Sequence, residues 1–257
     1  MIYSSSGIAL NEKKESLVAA RIGKRMRALN IENHRDYLKF VKNDEAGEEI
    51  IQLLDVISTN VTSFFREPTH FDFVAEIFSK WYNGGARKFR FWSAASSTGE
   101  EPYTLAMVLS NVLEGRKADI RILGTDISTR VLEICRKATY KAEKMATVPV
   151  LLKDRYTEHQ TINRSAFYTI KDEIKQMVSF GRINLSQPPF PMQGPFDIVF
   201  CRNVMIYFDN QVRKKLLDEI YRLLKPDGYL IVGHAESLTG MISGFHSVKP
   251  SIYTKKT

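Results

Sequence analysis

The sequence predicts an α/β fold, with a doubly wound and mostly parallel sheet that ends in an antiparallel strand. Two observations support this prediction. Apolar runs typical of buried strands alternate with amphipathic helical segments between residues 89 and 235. The chain then closes with FHSVKPSIYTKK, which has the composition of a hairpin. A small all-helical region precedes the sheet, and a small antiparallel insertion interrupts it.

Composition limits the class of protein. The 257 residues are 44% hydrophobic and 26% charged, as in a globular protein, and no apolar run approaches the roughly 20 residues of a membrane span. Cys135 and Cys201 are far apart and lack CxxC spacing, so we expect reduced thiols, a cytoplasmic location and no metal site. The net charge of +8 indicates an anionic partner, which can be nucleic acid, a membrane surface or an acidic protein.

Residues 1–58 are predicted to form a basic helical domain, and residues 59–257 the main domain. An apolar stripe at helical spacing is formed by Val18, Ile22, Met26 and Leu29. Basic side chains on the other side of this helix are a solvated face, or a docking surface for an acidic partner. The candidate docking residues are Arg21, Lys24, Arg25 and Arg27.

The segment STNVTSFFREP, residues 58–68, breaks the helical pattern. It is rich in the Ser, Thr and Asn side chains that favour turns. Its two phenylalanines can anchor it to the core, which leaves Asn60, Thr62 and Arg66 free to face a site. A helix is predicted over residues 70–81, with Asn83-Gly84-Gly85 as its stop signal.

The segment FRFWSAASSTGEEPYTLAMVL, residues 89–109, predicts a strand, a turn of small residues and a helix. Glu100 and Glu101 open the helix and Pro102 occupies its first turn. The turn is not a GxGxxG motif, and its glutamates would repel a phosphate from the helix N-terminus. A cofactor with hydroxyl groups and a positive charge fits better, and S-adenosylmethionine (SAM) is such a molecule.

The next strand, IRILGTDIS, ends in Asp126, about 30 positions after the first strand, where an acidic residue suits ribose hydroxyls. The alternative role for Asp126 is to cap the following helix, Thr129–Lys137, together with Ser128. The two roles are compatible, because they can use different atoms.

The remaining strands place polar residues at the same sheet edge. The antiparallel insertion is predicted at about residues 154–177, with a turn at 163–165. VSFGRINL then ends in Asn184-Leu185, and FDIVFCRN in Arg202-Asn203. An amphipathic helix over residues 210–224 is stopped by KPDG, and YLIVGHAESL is the fifth strand.

This five-strand alternation with a terminal hairpin is the Rossmann-like layout of class I SAM-dependent methyltransferases. The motifs WSAASSTGEEPYTLAM, TSFFREP, FDIVFCRNVMIYFD and LLKPDGYLIVGHAES resemble those of the CheR-type chemotaxis-receptor protein-glutamate O-methyltransferases. The resemblance spans nearly the whole chain. It implies the SAM contacts Asn60, Thr62, Arg66, Glu100, Asp126, Asn184, Leu185, Arg202 and Asn203.

The resemblance also implies an activity, the methylation of glutamate side chains on methyl-accepting chemotaxis receptors. The expected product is S-adenosylhomocysteine, and the expected partner is the cytoplasmic helical region of receptors in arrays, bound by a monomer without nucleic acid or membrane insertion. A carboxylate is ionised at neutral pH, so no general base is required. Arg66, Arg202 and Tyr207 are the candidate catalytic residues, while His234 and Glu236 are positioning residues at most.

Two other functions remain open. A class I methyltransferase of nucleic acid predicts a strand-four motif such as (N/D)PP(Y/F/W), whereas this chain has CRNVMIY. A non-catalytic SAM-binding scaffold of a chemosensory array would tolerate loss of Arg66, Arg202 or Tyr207, and all three are present. Some receptor methyltransferases grip a receptor peptide with a glycine-containing insertion loop, but residues 154–177 contain no glycine.

Overall fold

A computed structural model describes residue 7 and residues 12–44, 48–57, 61–236, 238, 241 and 244–255. It begins with three helices, α1 (Glu12–Ala28), α2 (His34–Asn43) and α3 (Glu48–Ile57). Val18 and Met26 of the predicted stripe are buried together with Tyr37, Val41 and Leu53, and Ile22 and Leu29 pack beside them. The amphipathic pattern therefore correctly predicted a separate helical core.

The rest of the described chain alternates helices and strands, with bounds close to those predicted. The helices are α4 (Thr69–Asn83), α5 (Glu100–Leu113), α6 (Thr129–Lys137), α7 (Val150–Tyr156), α8 (Asp172–Lys175) and α9 (Asn210–Leu223). The strands are β1 (Lys88–Ser93), β2 (Asp119–Asp126), β3 (Thr139–Lys141), β4 (Thr157–Ile162), β5 (Ser165–Ile170), β6 (Val178–Arg182), β7 (Phe196–Cys201), β8 (Leu224–Val232), β9 (Phe245–Lys249) and β10 (Ile252–Lys255). Short 3₁₀ helices span Ala142–Met145 and Met205–Tyr207.

The main sheet has seven strands in the order β6-β2-β1-β7-β8-β10-β9. The first five are parallel to one another, whereas β10 runs antiparallel to β8 and to β9. Because the order reverses between β1 and β7, the helices after these strands diverge and leave a crevice at the carboxyl edge. The predicted doubly wound sheet with its terminal antiparallel strand is confirmed.

The two faces of the sheet bury separate apolar layers. One layer contains Phe91 and Ile198 with the inner faces of α4 and α5, and the other contains Trp92 and Val199 with α9. Neighbouring positions on a strand point to opposite faces, so both layers draw on the same two central strands. Every residue of β7 is buried, as expected for a central parallel strand.

Two element boundaries differ from those predicted. The small sheet has the order β3-β5-β4, and β3 at residues 139–141 lies before the predicted insertion of residues 154–177. A three-residue strand is too short to show alternation, which is why its sequence gave no signal. Strand β8 begins at Leu224 and includes the KPDG segment that was predicted to separate helix from strand. Within the described ranges, no helix is long and apolar enough to cross a membrane.

Candidate active site

The carboxyl ends of β1, β2, β6 and β7 bring the predicted polar residues to one edge of the sheet. The register pairs Ser93 with Gly124 and with Phe200, so the turns that follow these strands are neighbours. The turn after β1 comes closest to β2, where the Ser96 N–H donates to Thr125 O at 2.8 Å. These turns form the floor of the crevice.

Small residues are required in the turn that precedes α5. Gly99 has φ of +96°, and an added Cβ would meet the Tyr140 hydroxyl oxygen at 2.7 Å. Ser97 also has positive φ, at 48°. The turn is therefore compact because it is pressed against Tyr140, whose hydroxyl donates to Thr98 O at 2.8 Å.

Glu100 is fully buried at the start of α5 and is already bound to a cation. Lys144, on the 3₁₀ helix Ala142–Met145, places Nζ 2.5 Å from Glu100 Oε1. Thr98 donates its hydroxyl to the same carboxylate, 2.6 Å from Oε2. The Glu100 side chain has 0% exposure, whereas that of Lys144 has 45%. The Glu100 carboxylate is thus built to hold an ammonium group.

Asp126, at the end of β2, fixes the turn after β1 and starts α6. Its Oδ2 accepts from the Ser97 N–H at 2.9 Å and its Oδ1 from the Ser128 N–H at 3.0 Å. Ser128 itself caps α6 by accepting from the Val131 N–H. Burial raises the pKa of Asp126, against the effect of these backbone hydrogen bonds. The capping role is present in this geometry, and the ribose role of Asp126 stays a prediction.

The segment at residues 61–68 lies beside the crevice, held by its two phenylalanines as predicted. Phe64 is fully buried with its ring edge-on to Tyr140 at 5.0 Å, and Phe65 packs on Phe71 at 5.9 Å. Arg66 is half-buried and its Nη1 donates to Val61 O at 2.8 Å. Thr62 is also half-buried. Asn60 lies outside the described residues.

Arg202 has partners that sequence analysis did not predict. Its side chain is 2% exposed and lies between two carboxylates, with Nη2 3.0 Å from Glu67 Oε2 and Nη1 3.0 Å from Glu101 Oε2. Nη2 also donates to Arg66 O. The guanidinium is therefore engaged within the protein, which makes Arg202 a positioning residue for residues 61–68. Its contact with the cofactor or the substrate stays a prediction.

The two carboxylates that hold Arg202 differ in their titration. For Glu67, burial raises the pKa, but the charge and hydrogen bonds of Arg202 outweigh it and the net pKa is lowered. For Glu101, burial dominates and raises the pKa despite Arg202 and the Ser93 hydroxyl. Glu101 lies at the start of α5, so Arg202 links the segment at residues 61–68 to the first turn of α5.

Glu236 organises the chain that follows β7. Its carboxylate accepts from the N–H groups of Asn203 at 2.6 Å, Met205 at 2.8 Å and Gly233 at 2.8 Å. Asn203 has positive φ of 57°, so the chain turns sharply there into the helix that ends at Tyr207. Tyr207 is half-buried at the end of this helix. Glu236 is thus a positioning residue, as predicted.

Two histidines lie behind Glu67. His70 is buried, and its Nδ1 is 3.4 Å from Glu67 Oε2. The ring of exposed His234 packs edge-on to it at 4.8 Å. Among the residues described, neither ring nitrogen of His70 has a hydrogen-bond partner. The trio has the ligand types and proximity of a cation site, although Glu67 already neutralises Arg202.

Asn184 and Leu185 follow β6 at the far side of the crevice. Asn184 Oδ1 accepts from the Ser186 hydroxyl at 2.8 Å and from its N–H at 3.1 Å, which closes a turn. Leu185 is 6% exposed and belongs to the apolar layer around Trp92. The structure therefore places this pair at the predicted sheet edge, while its contact with SAM stays a prediction.

The basic residues of α1 are not equivalent. Arg25 bonds Glu49 through Nε at 3.0 Å and Nη2 at 2.5 Å, and Glu49 is 5% exposed. Arg21 is half-buried and its Nη1 donates to Val56 O at 3.4 Å. Lys24 and Arg27 are exposed. Arg25 is therefore partly buried in an ion pair of the helical domain, and its role as a docking residue stays a prediction.

Two residues of this site were missed by sequence analysis. Glu67 is visible in TSFFREP but has no property there that separates it from a surface glutamate, and Lys144 lies in a lysine-rich segment. Each is recognisable only through its partner, which is 135 residues distant for Glu67 and 44 for Lys144. The signal in both cases is a buried charge at the carboxyl edge of the sheet, Arg202 after β7 and Glu100 at the start of α5, that needs a counter-ion.

The donor set fits a cofactor that carries both hydroxyl groups and an ammonium. Asp126 offers a carboxylate at the end of β2, and Glu100 offers a second one that already binds an amine. This site at the carboxyl edge of a sheet ordered β6-β2-β1-β7-β8-β10-β9 defines a class I SAM-dependent methyltransferase.

The family follows from the sequence as a whole. The model for the CheR methyltransferase SAM-binding domain matches residues 60–254, and the model for the CheR methyltransferase all-alpha domain matches residues 1–58. The chain belongs to the CheR methyltransferase family, and its cofactor is S-adenosylmethionine.

Several chemotaxis protein methyltransferases are similar to this chain over nearly their whole length. The chain is 36% identical to the chemotaxis protein methyltransferase of Borreliella burgdorferi, over 99% of this chain and 91% of the relative. It is 34% identical to that of Salmonella typhimurium (98% and 86%) and 37% identical to the probable enzyme of Rhizobium etli (93% and 91%).

Two solved structures are similar to part of this chain. The [4+2]-cyclase SpnF is 16% identical with a TM-score of 0.37, over 68% of this chain and 47% of that chain. A TehB-like SAM-dependent methyltransferase from Corynebacterium glutamicum is 13% identical with a TM-score of 0.38, over 73% and 97%. These TM-scores are too low to support an argument about this chain.

Proposed function

We propose that this protein transfers the methyl group of SAM to glutamate side chains of methyl-accepting chemotaxis receptors, releasing S-adenosylhomocysteine. It acts as a monomer in the cytoplasm, on the helical region of receptors in arrays. The names of its relatives support the substrate class, since they are chemotaxis protein methyltransferases.

The observation that carries the proposal is the contrast between Arg66 and Arg202. Arg202 is 2% exposed and bonded to Glu67 and Glu101, whereas Arg66, beside the same crevice, is half-buried and bonds the backbone carbonyl of Val61. Arg66 can turn from Val61 to an incoming carboxylate without leaving a buried charge unpaired. One arginine for the substrate is also chemically preferable, because a carboxylate held by two would be a poorer nucleophile.

The reaction requires placement more than proton transfer. When bound, SAM supplies an electrophilic methyl group on a sulfonium. The glutamate carboxylate is ionised at neutral pH, so the protein needs to align one oxygen with that methyl group. The protein must also compensate for the hydration that the carboxylate loses in the crevice. We assign these tasks to Arg66 and to the hydroxyl of Tyr207, with Glu100 and Asp126 holding the cofactor.

The proposed receptor-docking surface consists of Lys24 and Arg27, the exposed members of the basic face of α1. Acidic side chains on a helical receptor are suitable partners for such a face. Arg25 supports this surface indirectly, because its bonds to Glu49 tie α1 to α3.

The experiment that tests the proposal incubates the protein with methyl-labelled SAM and membranes that contain the host's receptors. Label on receptor bands that mild base releases as methanol supports a glutamate methyl ester. Base-stable label would indicate another acceptor atom and overturn the proposal. Binding of SAM without any transfer to receptors would instead indicate a SAM-binding scaffold.

A further inference from the structure

Lys144 occupies the position that a ligand of Glu100 would need. Its Nζ lies 2.5 Å from Glu100 Oε1 and 3.3 Å from the Thr98 hydroxyl oxygen. Glu100 has no exposed surface, and Lys144 is the half-exposed cation on its carboxylate, so a cationic ligand of Glu100 would take the place of Lys144. This argument rests on the proposed function, in which Glu100 contacts the cofactor.

The geometry points to Lys144 as an internal stand-in for the α-ammonium group of SAM, released from Glu100 when the cofactor binds. Both groups are primary alkylammonium ions with three donors, so either one satisfies the same carboxylate. The exchange keeps one positive charge beside the Glu100 carboxylate both with and without the cofactor. A buried carboxylate without a cation would be costly, and Lys144 removes that cost in the cofactor-free protein.

The exchange involves the Lys144 side chain and leaves its helix in place. The chain on either side is anchored, because Tyr140 donates to Thr98 O at 2.8 Å and the Thr147 hydroxyl donates to Phe64 O at 2.7 Å. Met145, next to Lys144, is fully buried. The lysine itself has a flexible four-carbon stem and is 45% exposed, so it can rotate into solvent.

A selectivity follows from this arrangement. SAM and S-adenosylhomocysteine carry an α-ammonium and can replace Lys144, while 5′-methylthioadenosine has the same nucleoside and no ammonium. Lys144 therefore lowers the affinity for the first two and leaves that for the third unaffected. Removal of Lys144 is expected to increase the affinity for ligands that carry the amino-acid group relative to the affinity for 5′-methylthioadenosine.

The test measures binding to the full chain by titration calorimetry, with S-adenosylhomocysteine and with 5′-methylthioadenosine. Lys144→Met is expected to bind S-adenosylhomocysteine roughly five- to tenfold more tightly than the wild type, the size expected for one half-exposed ion pair. The affinity for 5′-methylthioadenosine is expected to stay within about twofold. Lys141→Met, at an exposed lysine of β3, is the matched control and is expected to change neither affinity.

A second variant covers the case in which Lys144→Met is too unstable to study. Lys144→Gln retains a hydrogen-bond donor to Glu100 without the charge. It is expected to bind S-adenosylhomocysteine more tightly than the wild type, by a smaller factor than Lys144→Met. The proposal is overturned by unchanged or weaker S-adenosylhomocysteine binding in the variants, or by an equal gain for 5′-methylthioadenosine. Failure of the wild-type chain to bind S-adenosylhomocysteine at all would overturn the proposed function first.

Discussion

Arg202 and Glu67 form a buried ion pair that joins the end of β7 to the segment at residues 61–68. Nη2 of Arg202 lies 3.0 Å from Oε2 of Glu67, and the arginine side chain is 2% exposed. Glu101 holds the other side of the same guanidinium. The position of Arg66, one residue before Glu67, therefore depends on a charge supplied from the opposite half of the chain.

Loss of the central charge is expected to destabilise the protein. Arg202→Gln leaves the carboxylates of Glu67 and Glu101 without their cation, and breaking a buried pair in this way costs about 3–5 kcal/mol. Urea unfolding at pH 7 measures the change. Arg121→Gln is the control, because that arginine is 75% exposed beside Asp119 and its loss is expected to cost under about 1 kcal/mol. Equal effects of the two substitutions would contradict the structural role of Arg202.

Arg66→Ala is expected to abolish activity while the protein remains folded. The half-buried guanidinium bonds the carbonyl of Val61, so its removal is expected to cost less than about 1 kcal/mol of stability. Methyl transfer is expected to fall roughly a hundredfold or more, since substrate alignment is lost. Arg116→Ala removes an arginine that also bonds backbone carbonyls and is expected to leave the rate unchanged. A wild-type rate in Arg66→Ala would remove this residue from the mechanism.

His70 is expected to make stability depend on pH. Burial, and then the charge of Arg202, lower the pKa of His70 to about 4. Between pH 4 and 6.5 the unfolded chain binds the extra proton, so the free energy of unfolding falls as pH is lowered through this window, by up to about 3 kcal/mol. His70→Gln is expected to flatten that slope, whereas His159→Gln, at an exposed histidine, is not. Identical slopes for His70→Gln and the wild type would show that His70 titrates normally.

Glu236→Gln is expected to disturb the segment that carries Tyr207. The carboxylate accepts from three backbone N–H groups within 2.8 Å, and an amide has one acceptor oxygen instead of two. The expected cost is about 1–3 kcal/mol, with a lower rate of methyl transfer. Thermal unfolding and the transfer assay measure the two effects, with Glu133→Gln, at an exposed glutamate of α6, as the control. An unaltered rate would mean that Tyr207 does not need this anchor.

Charge reversal on α1 is expected to separate docking from folding. Lys24→Glu with Arg27→Glu should weaken receptor methylation about tenfold through lost steering, with unchanged affinity for SAM. Arg25→Glu should instead lower stability, because it faces Glu49. Substitution of the exposed Lys214 and Lys215 of α9 by glutamate is the control for the change in net charge. A matching loss in that control would refute docking through α1.

Sequence analysis predicted the architecture because the spacing of apolar residues, and the turn residues that separate helices from strands, are local properties of the chain. The ends of β2 at Asp126 and of β7 at Cys201 follow from apolar runs that stop at polar residues. What stayed hidden were pairings across long separations, such as Arg202 with Glu67. The ion pair of Arg25 with Glu49 was also not predicted, because a stripe of basic residues does not show which of them lies beside a buried acidic residue. Strand β3 was missed because it gains its extended form from pairing with β5.

The pairing of Arg202 with Glu67 also determines when the site can form during translation. The contact closes a loop of 135 residues, so entropy opposes it until the intervening sheet is in place. During translation the segment at residues 61–68 emerges long before its partner. The crevice is therefore completed only after β7 has left the ribosome, and a nascent chain shorter than that has no assembled site for the cofactor.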